Sequence, residues 1–179
     1  MREARTVSRD LDVTVIPYGE KIPLKQGVTV YITQSLGGSY TAMTDMGYMV
    51  RIEGKDADAI GETVQAGPSA EDLAQKPLVD LAWDQLKTCY DPEIPVNIVD
   101  LGLVYSCDVA PTEAGGQKVV VRFSLTAPGC GMGDVLKTDI QGKMASLPGV
   151  TETDVDVSLD PPWDQSRMSD AARLQLGLM

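Results

Sequence analysis

The chain has no histidine, one phenylalanine and only three cysteines, none of them in Cys-x-x-Cys spacing. Without histidine, it lacks the usual activator of a cysteine nucleophile and the commonest nitrogen ligand to a metal. Cys89, Cys107 and Cys130 form an odd and scattered set. That set argues against a disulfide framework and for a reducing cytoplasm. No apolar run approaches a membrane-spanning length, and Met1-Arg2-Glu3-Ala4-Arg5 leads into a polar segment, so neither an anchor nor a secretory signal is expected. Basic residues are also few: 15 against 26 acidic, a net charge of −11, with the acidic excess in both halves. Nucleic acid and anionic membrane surfaces are therefore disfavoured as partners, because both are bound through basic patches.

What the chain does have is an ordinary apolar fraction, 43% over 179 residues, with a core that must be aliphatic. The pattern predicts an α+β protein: an N-terminal small β-rich domain, then a compact α-β-β-α-β two-layer domain. Residues 12–61 read as short strands of a barrel or sandwich, at Asp12–Ile16, Val28–Thr33, Tyr40–Thr44 and Tyr48–Ile52, with Gly37-Gly38 as a turn. Residues 62–76, small and polar with Gly67-Pro68, read as a linker between a first domain (1–66) and a second (77–179). In the second, Pro77 can open a helix with Leu78, Leu81, Ala82, Leu86 and Cys89 on one face. Strands follow over Leu101–Val109 and Lys118–Thr126. In the latter, Val119, Val121, Phe123 and Leu125 point one way and Arg122, Ser124 and Thr126 the other. A helix carrying Val135, Leu136, Ile140, Met144 and Leu147 comes next, stopped by Pro148-Gly149. The last strand alternates Thr153, Val155, Val157 and Leu159. Asp160-Pro161-Pro162-Trp163 then makes a rigid turn, with Ser169 as the cap of a short final helix.

Four residues are candidates for chemistry. Cys130 lies in Leu125-Thr-Ala-Pro-Gly-Cys-Gly-Met132, between a strand pattern and a helix pattern. A helix N-terminus favours the thiolate, the form that attacks electrophiles and binds metals. Cys130 is thus the metal-ligand candidate, and its competing reading is a small buried hydrophobe. Asp91 and Glu93 flank Pro92 in a stiff segment. They read either as oxygen ligands or acid/base groups facing one cleft, or as solvated charges at a helix stop. Thr126, four positions before Cys130, either bonds a ligand or caps its strand. Cys89 and Cys107 read as core residues, and Trp163 as a structural plug.

Taken together, Asp91-Pro-Glu-Ile-Pro-Val-Asn-Ile-Val-Asp-Leu-Gly-Leu-Val-Tyr105, Leu125–Met132, and Asp160-Pro-Pro-Trp163 with Met168-Ser-Asp-Ala-Ala-Arg173 resemble the SufT-type iron–sulfur assembly proteins. These carry the MIP-type domain, also found in cytosolic iron–sulfur targeting factors, here over residues 77–179. Residues 12–61, with Tyr18-Gly19-Glu20 and Gln34–Tyr40, resemble the leading segment of the SufT type. The resemblance implies an auxiliary role in cluster maturation rather than an enzyme, as a cluster carrier or targeting adaptor. It also implies a cleft of Asp91, Glu93, Thr126 and Cys130, with assembly proteins and client apoproteins as partners. Many members of the wider family have a second hydroxyl residue after the threonine, where this chain has Ala127.

One thiolate cannot fill the coordination of an iron–sulfur cluster, which usually takes four cysteines. Transient binding or no cluster is therefore expected, rather than a stably loaded cofactor. The remaining ligands would come from carboxylates, a small thiol or a second subunit, which leaves homo-oligomerisation open. Two other readings stand beside the carrier: a thiol enzyme using Cys130 with Asp91 or Glu93 as base, and an interaction adaptor in which Cys130 only packs.

Overall fold

The computed structural model describes residues 3–16, 18–64, 67–91, 94–126 and 132–178. The chain divides into two compact units, Met1–Ala66 and Gly67–Met179.

Six strands build the first unit: β1 (Glu3–Thr6), β2 (Leu11–Val15), β3 (Lys21–Leu24), β4 (Thr29–Leu36), β5 (Ser39–Thr44) and β6 (Met49–Ile52). They form one antiparallel sheet in the order β1-β4-β5-β6-β2-β3. This corrects the sandwich or barrel expectation, because among the described residues there is no second sheet and β1 and β3 remain open edges. Two short strands, β1 and β3, escaped the pattern: Glu-Ala-Arg-Thr and Lys-Ile-Pro-Leu lack a β-branched run. Alternation places Val13, Val30, Ala42, Val50 and Ile52 on one buried face. A 3-10 helix at Gly54–Ile60 adds Ala57, Ala59 and Ile60 to that core. Arg9 holds this helix through Asp58 and Asp56, at 2.7 and 3.0 Å.

The second unit begins with α1 (Ala70–Leu73), which falls inside the stretch read as linker. Its start is fixed by Ser69 N–H donating to the Asp72 carboxylate at 2.7 Å, a capping interaction that the small-residue composition hides. Next come α2 (Leu78–Leu86), β7 (Val104–Pro111), β8 (Gln117–Phe123), α3 (Met132–Ala145), β9 (Val150–Val157) and α4 (Asp170–Gln175). β7 pairs antiparallel with β8, and β8 pairs parallel with β9 through the α3 crossover. α2 packs on β7 and α3, and α3 packs on β9. Val119, Val121 and Phe123 of β8 meet Leu81, Ala82 and Leu86 of α2 and Leu136, Ile140 and Met144 of α3 in one core. Each large side chain so buried contributes about 1.5–3 kcal/mol.

Four sequence expectations in this unit shift. α2 ends at Leu86, so Cys89 sits in the turn beyond it, still fully buried, with its thiol toward the Gln85 carbonyl. The strand expected from Leu101 begins only at Val104, and Leu101 and Gly102 belong to turns over 98–102 in which the Asn97 side-chain oxygen captures the N–H groups of Val99 and Asp100. β8 ends at Phe123, three residues before Thr126. Finally, Val157 and Leu159 are 38% and 47% exposed, leaving Val155 as the core residue at that end of the sheet edge.

The C-terminal tail is strapped across residues 95–105. Trp163 Nε1 donates to the Leu101 carbonyl at 2.7 Å, which is the expected plug. Ser169 N–H donates to the Asp100 carbonyl at 2.8 Å, and Tyr105 Oη to the Pro161 carbonyl at 2.7 Å. Ser169 also caps α4 by accepting from Ala172 N–H. Gly102 lies under this strap with φ 75°, and a Cβ there would overlap the backbone carbonyl of Arg167.

Candidate functional site

The four candidate residues come from two chain segments. Asp91 opens the 91–96 loop, which is closed at its base by the Tyr90–Asn97 bridge and turned by Ile94 N–H donating to the Asp91 carbonyl. Asp91 is only 7% exposed, so it is not the solvated helix-stop charge of the simpler reading. Thr126 is half-buried beyond the end of β8. Glu93 and Cys130 lie outside the described residues.

A backbone ladder links the two described candidates. Ile98 N–H donates to Cys89 O at 2.9 Å, Leu103 N–H to Ile98 O at 2.9 Å, and Ser124 N–H to Leu103 O at 2.7 Å. The ladder starts two residues before Asp91 and ends two residues before Thr126. It therefore ties both segments to the end of the sheet where β7 begins and β8 finishes. That is also the carboxyl end of β8 in a parallel strand–helix–strand unit, a usual place for sites in parallel sheets.

Ser124 is a residue that sequence reasoning passed over. Alternation set it on the polar face with Arg122, yet it is fully buried and, among the described residues, its hydroxyl has no hydrogen-bond partner. An unpaired buried hydroxyl costs about 1–3 kcal/mol and calls for an explanation. No pattern in the sequence separates it from a solvated serine at a strand end.

The two other cysteines are occupied by packing. Cys107 is 7% exposed, and burial, aided by the neighbouring Asp108 charge, pushes its thiol up to about 11. Cys89 is fully buried. Among the described residues, no group of three or more cysteine, aspartate or glutamate side chains could hold a metal ion.

A family model described as iron–sulfur cluster assembly protein matches residues 80–157, which span all four candidates. An Fe-S protein maturation auxiliary factor of Porphyromonas gingivalis is 44% identical over 94 residues, covering 52% of this chain and 86% of that protein. The chain belongs to the SufT-type iron–sulfur assembly family. Two further relatives agree. The Bacillus subtilis auxiliary factor YitW is 36% identical over 93 residues, covering 52% of this chain and 87% of its own. The Staphylococcus aureus auxiliary factor SufT is 34% identical over 88 residues, 49% of this chain and 96% of its own. A crystal structure of a DUF59 domain from Bacillus anthracis superimposes with a TM-score of 0.50 at 33% identity, over 60% of this chain and 99% of that one. The SufT-type family match thus falls in the second unit. Residues 3–64 lie outside the 80–157 stretch. Among the described residues, no helix is long and apolar enough to cross a membrane.

Proposed function

We propose that this SufT-type chain is an auxiliary carrier in iron–sulfur cluster maturation, holding its cargo transiently through Cys130 in a cleft with Asp91, Glu93 and Thr126. The observation that supports this most is the burial of the other two cysteines. Cys89 and Cys107 sit in the core, so one thiol is left for cargo. A resident cluster usually takes four cysteine ligands, and the sequence has three cysteines in all, which supports transient holding. The remaining ligands then come from an assembly protein, a client apoprotein or a second copy of the chain. This role is delivery rather than catalysis, and with three unpaired-pattern cysteines it suits a reducing cytoplasm.

The test is anaerobic incubation with ferrous iron and sulfide, read by absorption, together with support of cluster-dependent enzymes in cells lacking the chain. The parent is expected to show a weak cluster spectrum that is lost on gel filtration. Cys130→Ser is expected to show none and to fail in cells. Full complementation by Cys130→Ser removes the thiol from the mechanism and leaves a targeting adaptor.

A further inference from the structure

The loop that carries Asp91 is anchored from outside the matched 80–157 stretch. Gln175, in the last turn of α4, donates its side-chain Nε2 to the Pro95 carbonyl at 2.7 Å, across 80 residues of sequence. This bond holds Pro95, two residues before Asn97, where the Tyr90–Asn97 bridge and the Ile98-to-Cys89 hydrogen bond close the segment that begins at Asp91. The segment that follows is held by the same tail, through Ser169 to Asp100 and Trp163 to Leu101. Loop and tail are therefore one mechanical unit. Val96 is buried at the end of the loop, so a shift of Pro95 must also move a core residue.

We propose that Gln175 is a positioning residue for the cleft, with its amide fixing the loop that presents Asp91. The inference rests on the reading above that Asp91 belongs to the functional cleft. Gln175 itself is exposed and packs into no core, so its amide bond, rather than bulk stability, is what the loop receives from it.

The experiment uses the full chain with Gln175→Ala, Gln175→Arg, Asp91→Asn and the Asp91→Asn/Gln175→Ala double variant. Amide hydrogen exchange over residues 94–103, melting temperature, and support of cluster-dependent enzymes in cells are measured for each. Gln175→Ala is expected to speed exchange in 94–103 by roughly two- to fivefold, the worth of one exposed hydrogen bond, and to cut cellular maturation comparably, with little change in melting temperature. Gln175→Arg keeps an N–H donor of similar reach and restores both readouts. The double variant matures clusters no worse than Asp91→Asn alone, because both changes act through one group. Wild-type maturation by Gln175→Ala despite faster exchange overturns the proposal. So does a maturation loss without faster exchange, or one that adds to that of Asp91→Asn. Full activity of Asp91→Asn alone fails the cleft reading itself, a separate result.

Discussion

Replacing Gly102 by alanine tests the tail strap through two separable costs. At φ 75° an alanine enters the left-handed region, which costs about 1–2 kcal/mol. Its Cβ also meets the Arg167 carbonyl, a backbone atom that cannot swing aside. Overpacking of that kind adds about 1–3 kcal/mol, for a total of about 2–5 kcal/mol. Gly115 supplies the control, since it has φ 93° with no atom within 4 Å of a built Cβ. Gly115→Ala therefore carries only the conformational cost, about 1–2 kcal/mol. The assay is urea unfolding followed by tryptophan fluorescence. Both tryptophans, Trp83 and Trp163, belong to the second unit, so the signal reports on that unit alone. Gly102→Ala is expected to lower the midpoint well beyond Gly115→Ala, with a red shift of native emission as Trp163 loses Leu101. Equal losses in the two variants, with unshifted emission, would refute the docking of the tail on residues 100–102.

Other outcomes follow from single groups. The Cys107 thiol is raised in the folded chain from 9.0 to about 11, so its contribution to stability is complete below pH 9 and is lost as pH rises toward 11. That loss is about 2–3 kcal/mol, at 1.36 kcal/mol per unit. The urea midpoints of parent and Cys107→Ala, apart at neutral pH, should therefore converge by pH 10.5, and a constant gap would contradict the burial. Ser124→Ala removes an unpaired buried hydroxyl and should leave the melting temperature unchanged or higher, whereas a drop worth more than about 1 kcal/mol would mean the hydroxyl is already satisfied. Trp163→Phe strands the Leu101 carbonyl and should cost about 1–2 kcal/mol in calorimetry, and a neutral result would remove the plug role.

The sequence made the second unit legible where a residue's role follows from period alone. Val119, Val121 and Phe123 of β8 and Leu136, Ile140 and Met144 of α3 are buried as their spacing requires, because both elements put one face on the core. Where tertiary contact decides, periodicity misled. Leu159 and Val157 alternate like core residues, but the end of an edge strand left Val155 alone inside. Leu101–Leu103 looked like strand because the Asn97 side chain, not composition, sets those turns. At the candidate site, sequence picked out Asp91 and Thr126 but not their means of support. The ladder through Cys89, Ile98, Leu103 and Ser124 joins residues up to 35 positions apart, and no local pattern encodes it.

The burial of two thiols also sets a direction for cargo transfer in the proposed role. With its thiol raised to about 11, Cys107 holds on the order of one part in 10⁴ as thiolate at pH 7. It would thus resist ligation even before the cost of leaving the core that the sheet forms with α2 and α3. Cys89 sits in the same core. With those two thiols held in the core, the proposed role leaves a cluster one protein thiolate, that of Cys130, and the other sites on its iron atoms stay open to exchange. A client apoprotein that offers four thiolates replaces a single protein ligand with several, and the bound state shifts to the client by mass of ligands rather than by any conformational drive. On this argument, adding a second cysteine beside Cys130 would strengthen cluster retention and slow delivery, and faster delivery by such a variant would contradict it.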